Sequence, residues 1–146
     1  MSVALDPDLV IALGTRTNGD GGEELLPPGF IAAWQQLSDA GVRVVGMRDS
    51  PRHPHDVPNC IAHRGVEQCS VARATVYSDD LFERSEPLLP AGVSLLDTSS
   101  YFCDGIVCPA LIGNIWVYLD TGHVTATYMR TVAPLLERDL TALAGW

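Results

Sequence analysis

The sequence has no lysine, no long apolar segment and a strong deficit of positive charge. Its 146 residues carry nine basic side chains, all of them arginine, against 18 acidic ones, so the net charge is -9. Because such a chain repels phosphates over most of its surface, we expect neither nucleic acid nor anionic membranes as partners. No run reaches the ~20 apolar residues that a membrane-spanning helix needs. The first residues also lack the basic start and apolar core of a signal peptide.

Four cysteines form two closely spaced pairs, and neither pair has the C-x-x-C spacing of zinc knuckles or redox motifs. Both pairs lie in sequence rich in proline, asparagine, aspartate and glycine. Two short-range disulfides, Cys60–Cys69 and Cys103–Cys108, are the simplest interpretation, and they imply an oxidising compartment. Free buried thiols remain the alternative.

The hydrophobic content of 47% is typical of one globular domain with a core, here residues 1–146. Three apolar runs predict buried strands: Leu9–Leu13, Val42–Met47 and Val93–Leu96. Apolar residues at helical spacing over Phe30–Ala40, followed by Gly41, predict a helix between the first two strands. A strand–helix–strand order indicates an α/β fold with a parallel sheet.

The second half of the chain gives weaker patterns. The proline-rich segment Pro51–His63 predicts a loop, and Val66–Tyr77 predicts a short helix. The β-branched and aromatic run Ile115–Leu119 predicts another strand. After it, Thr125 can cap a final helix that reaches Leu143.

The strongest catalytic candidate is Asp120-Thr121-Gly122-His123, which lies between that predicted strand and the final helix. An imidazole that accepts a proton needs a carboxylate on its other nitrogen, which selects the tautomer and stabilises the imidazolium. A spacing of three residues across a turn can bring the two groups together. In the alternative interpretation Asp120 only caps the turn and His123 is a surface residue.

Other motifs allow chemistry but have ordinary structural explanations. Gly14 and Asn18 follow the first strand, where a backbone N–H and a side-chain amide could bind an oxyanion, although a simple turn explains them equally well. Asp49-Ser50-Pro51 mimics a nucleophile turn, but the proline directly after the serine favours a plain turn. None of the serines lies on a strand-to-helix elbow of the kind that activates a hydroxyl.

The histidine-containing loop offers residues for a possible metal site. His53, His55, His63 and Cys60 are residue types that can ligate zinc. The prolines between them indicate a rigid irregular loop instead. We therefore predict neither a metal nor a cofactor.

Several motifs together resemble a known family. They are Leu37-x-x-Ala40-Gly41-Val42-x-Val44-Val45, Arg48-Asp49-Ser50-Pro51, Tyr101-Phe102-Cys103-Asp104-Gly105-x-x-Cys108-Pro109-Ala110 and Asp120-x-x-His123-x-Thr125. They are similar to the later part of an SGNH/GDSL-type hydrolase domain, in the form attached C-terminally to integral-membrane O-acyltransferases of bacterial envelopes.

The resemblance implies a flavodoxin-like, three-layer α/β domain, truncated at its N-terminal side. The Gly-Asp-Ser block with the nucleophile, the strand behind it and the membrane helices are not in the sequence. By this resemblance His123 is the general base and Asp120 orients it. Asn18 becomes an oxyanion donor whose spacing departs from the family's Gly-x-Asn block.

The implied function is acyl transfer or ester hydrolysis on an acylated envelope glycan or lipid, at the extracytoplasmic face of the membrane. The implied partner is the missing N-terminal half or the membrane acyltransferase domain, and self-association through an uncovered sheet edge is a further expectation. Without a nucleophilic serine, the chain alone is expected to be inactive. The alternative is a non-catalytic α/β binding or remnant domain.

Overall fold

The computed structural model describes residues 6–20 and 23–146. Its strands are β1 (Leu9–Leu13), β2 (Arg43–Met47), β3 (Val71–Ala72), β4 (Val93–Leu96), β5 (Val107–Cys108), β6 (Leu111–Ile112) and β7 (Ile115–Trp116). Its α-helices are α1 (Pro28–Asp39), α2 (Val57–Arg64), α3 (Leu81–Ser85) and α4 (Ala126–Ala144). Short 3-10 helices lie at Glu67–Cys69, Arg73–Thr75, Glu86–Leu88 and Ser99–Tyr101. None of these described helices is both long and apolar enough to cross a bilayer.

A parallel three-stranded sheet forms the centre of the fold, in the order β1-β2-β4. The register places Val44 between Val10 and Val93. These strands are rich in Val, Leu and Ile, as is typical of a parallel sheet with helices on both faces. The predicted α/β fold and its three parallel strands are confirmed, with one boundary shifted by a single residue.

Helix α1 covers one face of the sheet through Trp34, which is 3% exposed and packs with Val44 and Val93. Gly46 in β2 makes this close packing possible. A Cβ at that position would lie 2.9 Å from the Trp34 ring and 3.0 Å from the side chain of Leu95. The glycine is therefore required by the approach of the indole to the strand.

Helix α4 lies on the opposite face, beside β4. Its residues Met129 and Leu136 line, together with Ile11 and Leu13 of β1, a largely apolar cavity of 340 Å³. Within residues 6–20 and 23–146 strand β1 pairs with β2 alone, and its Ile11 and Leu13 side chains are 49% and 46% exposed. These two apolar side chains are therefore only partly covered by the described part of the chain.

Both predicted disulfides are present, Cys60–Cys69 and Cys103–Cys108. The first joins α2 to the 3-10 helix that follows it. Strands β3 and β5 pair antiparallel, with Val71 opposite Cys108, so the two cross-linked loops pack against each other. They belong to a second apolar core, which also includes Val132 of α4.

Two predictions in the region around α2 are wrong. Part of the predicted Pro51–His63 loop is helical, because Asp56 accepts a hydrogen bond from the Asn59 N–H and Pro58 occupies the first turn. The predicted helix over Val66–Tyr77 is instead two 3-10 turns around β3.

The predicted strand Ile115–Leu119 is also corrected, because only Ile115–Trp116 is a strand and it lies outside the parallel sheet. It forms an antiparallel hairpin with β6 across Gly113 and Asn114, which both have positive φ values of 57° and 62°. This is the backbone of a type I′ turn, which Gly and Asn favour. The local turn therefore decides the pairing of this segment.

A buried ion pair joins the ends of the three parallel strands. Arg48, directly after β2, is 4% exposed and donates to both carboxylate oxygens of Glu24, at 2.9 and 2.6 Å. It also donates to Asp97, directly after β4, at 3.0 Å. Glu24 in turn accepts from the Thr15 hydroxyl near the end of β1, at 2.8 Å.

We predict that Arg48→Met lowers the free energy of unfolding by about 3–5 kcal/mol, because it leaves the buried Glu24 carboxylate without its partner. The matched control is Arg84→Met, whose partner Asp80 has a 70% exposed side chain, and the expected loss there is below about 1 kcal/mol. Urea unfolding followed by tryptophan fluorescence measures both. Equal losses in the two variants would contradict a dominant role for the buried pair.

Candidate active site

The Asp120–His123 turn is the tip of a tight antiparallel loop. Tyr118 and Val124 form a β-bridge, and the Leu119 N–H donates to the His123 carbonyl at 2.7 Å. Directly after the loop, the Thr125 hydroxyl accepts from the Tyr128 N–H and caps α4. The loop is thereby anchored at its base and by the helix that follows.

The Asp120 carboxylate is held by three hydrogen bonds. Its Oδ1 accepts from the backbone N–H groups of Gly122 and His123, at 2.8 Å each. Its Oδ2 lies 2.6 Å from Nδ1 of the His123 ring. The two backbone donors, followed by the imidazole, hold the pKa of Asp120 well below its usual range. The carboxylate is therefore ionised at any pH at which an imidazole could act as a base.

This contact determines the state of the imidazole. Because Asp120 is an acceptor, Nδ1 of His123 carries the proton and Nε2 is left with its lone pair. The His123 side chain is 77% exposed, and no described hydroxyl hydrogen-bonds to its ring. The arrangement can take a proton at Nε2 while Asp120 stabilises the resulting imidazolium.

The loop after β2, together with the first residue of α2, supports this turn with three hydrogen bonds to consecutive carbonyl groups. The Val57 N–H donates to the Asp120 carbonyl at 3.3 Å and the His53 N–H to the Thr121 carbonyl at 2.6 Å. The Ser50 hydroxyl donates to the Gly122 carbonyl at 3.0 Å. Ser50, expected to be an ordinary turn residue, thus helps to position the candidate site. No local pattern could indicate this, because its partner lies 72 residues away.

A cavity of 510 Å³ adjoins the turn, and Thr121 contributes to its wall. Thr17 and Asn18 from the loop after β1 line the same cavity. Thr17 is fixed by hydrogen bonds to the carboxylate of Asp49 and the carbonyl of Ser50. The loops after β1 and β2 and the Asp120–His123 turn therefore meet around one cavity.

The two oxyanion candidates differ in what they can still donate. The Gly14 N–H donates to the Met47 carbonyl at 2.6 Å and is engaged within the sheet. The Asn18 side-chain oxygen accepts from the Asp20 N–H at 3.1 Å, which leaves its NH₂ group able to donate into the cavity. An oxyanion role for either residue stays a prediction.

The residues considered as metal ligands are arranged around a disulfide. His55, Cys60 and Cys69 have their ligand atoms within 4.8 Å of one another, but the two sulfur atoms are bonded together. His63 contacts the Asn59 carbonyl on the exposed face of α2. His53 is buried, at 2% exposure, with its ring centroid 4.3 Å from that of Tyr118.

Residues 5–138 match the family described as the SGNH domain fused to AT3 domains. The chain belongs to this family. No curated protein and no solved structure shows a significant match. The resemblance stated from the motifs is confirmed, and the parallel sheet with its helices is the α/β architecture expected of an SGNH domain. The match associates the chain with the SGNH portion of AT3-type acyltransferases.

We predict that Asp120→Asn changes the tautomer of His123 in this SGNH domain. The asparagine oxygen can still accept from the two backbone N–H groups, so its NH₂ would face Nδ1 and force the ring proton onto Nε2. Long-range ¹H–¹⁵N correlation spectra of the imidazole at pH 8 should show protonated Nδ1 in the native chain and protonated Nε2 in the variant. Protonated Nε2 in the native chain would contradict the proposed orientation.

A second prediction concerns the pH dependence of stability. Burial, followed by the neighbouring His55, lowers the pKa of His53 to about 4. Below pH 6.5 the unfolded chain binds a proton that the folded chain does not, so stability falls as the pH decreases from 6.5 towards 4, by about 3 kcal/mol in total.

Urea unfolding at pH 7.5 and 4.5 tests this. Between these two pH values the free energy of unfolding should fall less for His53→Phe than for the native chain. His63→Gln serves as the control, because that residue is exposed and should leave the loss unchanged. An NMR titration midpoint of His53 near 6.5 would contradict the prediction.

Proposed function

We propose that the chain provides the histidine–aspartate half of an acyltransferase or ester-hydrolase site. The observation that carries the proposal is the 2.6 Å contact between Nδ1 of His123 and Oδ2 of Asp120, which leaves the Nε2 lone pair able to accept a proton from another group. Membership of the SGNH family, in the form associated with AT3 acyltransferase domains, supports the same reaction class.

In the proposed mechanism, Nε2 of His123 accepts the proton of a serine hydroxyl as its oxygen attacks the acyl carbonyl carbon. Asp120 keeps the ring oriented and stabilises the imidazolium. The imidazolium then gives the proton to the departing oxygen, and an acyl-serine remains. In the second half, His123 removes a proton from the acceptor hydroxyl or from water, the new ester or acid forms, and the serine recovers its proton.

We propose that the serine comes from a polypeptide segment that pairs along the free edge of β1. Two hydroxyls of the neighbouring loops are already engaged, Ser50 with the Gly122 carbonyl and Thr15 with Glu24. In the part of the chain that the structure describes, β1 has an unpaired edge and half-exposed apolar side chains at Ile11 and Leu13. A further strand there would bury these side chains and extend the parallel sheet. The N-terminal part of an SGNH domain or the membrane acyltransferase domain is the proposed partner.

The proposed substrate is an acylated glycan or lipid of the cell envelope, and the proposed location is the extracytoplasmic side of the membrane. The two disulfides support an oxidising compartment, because such bonds persist outside the reducing cytoplasm. The acyl-transfer chemistry of the family supports an ester on a hydroxyl-bearing acceptor.

We predict that His123→Ala lowers activity about 10³-fold or more once the chain is joined, in cis or in trans, to a segment carrying the Gly-Asp-Ser block. The side chain is 77% exposed, so its removal should not affect folding. His63→Ala, which removes another exposed histidine, is the matched control. Hydrolysis of a p-nitrophenyl acyl ester and labelling by a serine-reactive fluorophosphonate measure the effect.

The outcomes separate the two functional candidates. Full activity of the His123→Ala protein would overturn the site assignment, and strong turnover by the 146-residue chain alone would overturn the need for an added serine. Lack of activity and of serine labelling in every joined form would instead favour a non-catalytic binding domain.

A further inference from the structure

The 510 Å³ cavity beside the Asp120–His123 turn is flanked by two arginines, Arg16 and Arg52. Among the described residues, neither has a carboxylate oxygen within 4 Å, whereas four other arginines are paired in this way: Arg48, Arg73, Arg84 and Arg138. Two uncompensated cations thus lie at one cavity of a chain whose net charge is -9.

The position of Arg52 connects the cavity to the candidate active site. Its side chain runs between Gly19 and Gly122. A Cβ on Gly19 would lie 3.1 Å from Cγ of Arg52, and one on Gly122 would lie 3.6 Å from its Nε and Cζ. Gly19 thus leaves room for the side chain of Arg52, and the guanidinium lies within van der Waals reach of the backbone at Gly122, between Asp120 and His123.

The remaining polar groups of the cavity allow an anion to be bound. The Asn18 NH₂ group is able to donate, since its side-chain oxygen accepts from the Asp20 N–H. The Asp20 carboxylate also lines the cavity and opposes an anion, but two guanidinium groups outnumber it. Guanidinium forks bind carboxylate and phosphate oxygens in a bidentate geometry that a neutral hydroxyl cannot match.

We propose that this cavity binds a carboxylate or phosphate group of the substrate, so that the acyl group is moved on or off an anionic sugar. This inference rests on the proposed acyl-transfer function and names its substrate class. The negative charge of the rest of the chain disfavours anions elsewhere on the surface. An anionic sugar held by Arg52 would have its neighbouring hydroxyl groups next to the Asp120–His123 turn.

The test is a ¹⁵N NMR titration of the 146-residue chain with three probes: digalacturonate, the matching neutral digalactose, and galactose 1-phosphate. We expect saturable shifts of the Asn18, Gly19 and Thr121 amides with at least one anionic probe and none with the neutral sugar. Binding should weaken as salt is added. The two anionic probes distinguish a uronate from a sugar phosphate as the source of the charge.

Arg16→Gln and Arg52→Gln should each weaken the binding about tenfold, as expected for loss of a charged hydrogen-bonding group. Arg130→Gln is the matched control, because Arg130 is exposed on α4 and does not line the cavity. Equal binding of the neutral sugar, no saturable shift with either anion, or unchanged binding by both cavity variants would overturn the proposal.

His123→Ala separates this proposal from the proposed function. The variant should bind the anionic probe as the native chain does, because the imidazole is not part of the anion site. If the joined His123→Ala enzyme stayed active while Arg52→Gln still lost anion binding, the catalytic assignment would fail and the anion site would stand. If the joined His123→Ala enzyme lost its activity and the native chain bound neither anionic probe, the catalytic assignment would stand and the anion site would fail.

Discussion

The buried guanidinium of Arg48 is the constraint on which the carboxyl ends of the three parallel strands depend. It binds Glu24, which holds Thr15 after β1, and Asp97 directly after β4. A buried charge is tolerated only when its donors are satisfied, and Arg48 also donates to the Ser78 carbonyl at 2.8 Å. The buried guanidinium therefore fixes the loops around it, because movement of any of these partners would leave a buried charge without its hydrogen-bonding group.

The residues directly after Arg48 connect that network to the candidate site. Asp49 and Ser50, directly after Arg48, hold Thr17 on one side, and Ser50 holds the Gly122 carbonyl on the other. The Asp120–His123 turn does not leave a strand of the parallel sheet, and its position relative to the sheet comes through the loop after β2. An exposed imidazole can be well oriented in this arrangement because its backbone is anchored by the loop after β2 and its ring by Asp120.

Much of the fold is predictable from short-range patterns. The apolar run Leu9–Leu13 and the mainly apolar segment Val93–Leu96 predicted their strands with correct bounds, because buried parallel strands leave little room for polar side chains. The errors occurred where local chemistry competes with periodicity. Asp56 and Pro58 start a helix in a segment that its prolines made resemble a loop, and the Gly113–Asn114 turn removes Ile115–Trp116 from the parallel sheet.

For the site, the sequence by itself determined the contacts that span only a few residues. A three-residue spacing across a turn is enough to bring Asp120 to His123, and the spacing of nine and five residues is enough for the two disulfides. Only the tertiary structure decided which groups surround them. Ser50, His53 and Val57 bind the turn from more than 60 residues away, and Arg16 and Arg52 meet at one cavity with Thr121. Such contacts depend on how the loops pack above the sheet, and no local spacing encodes that packing.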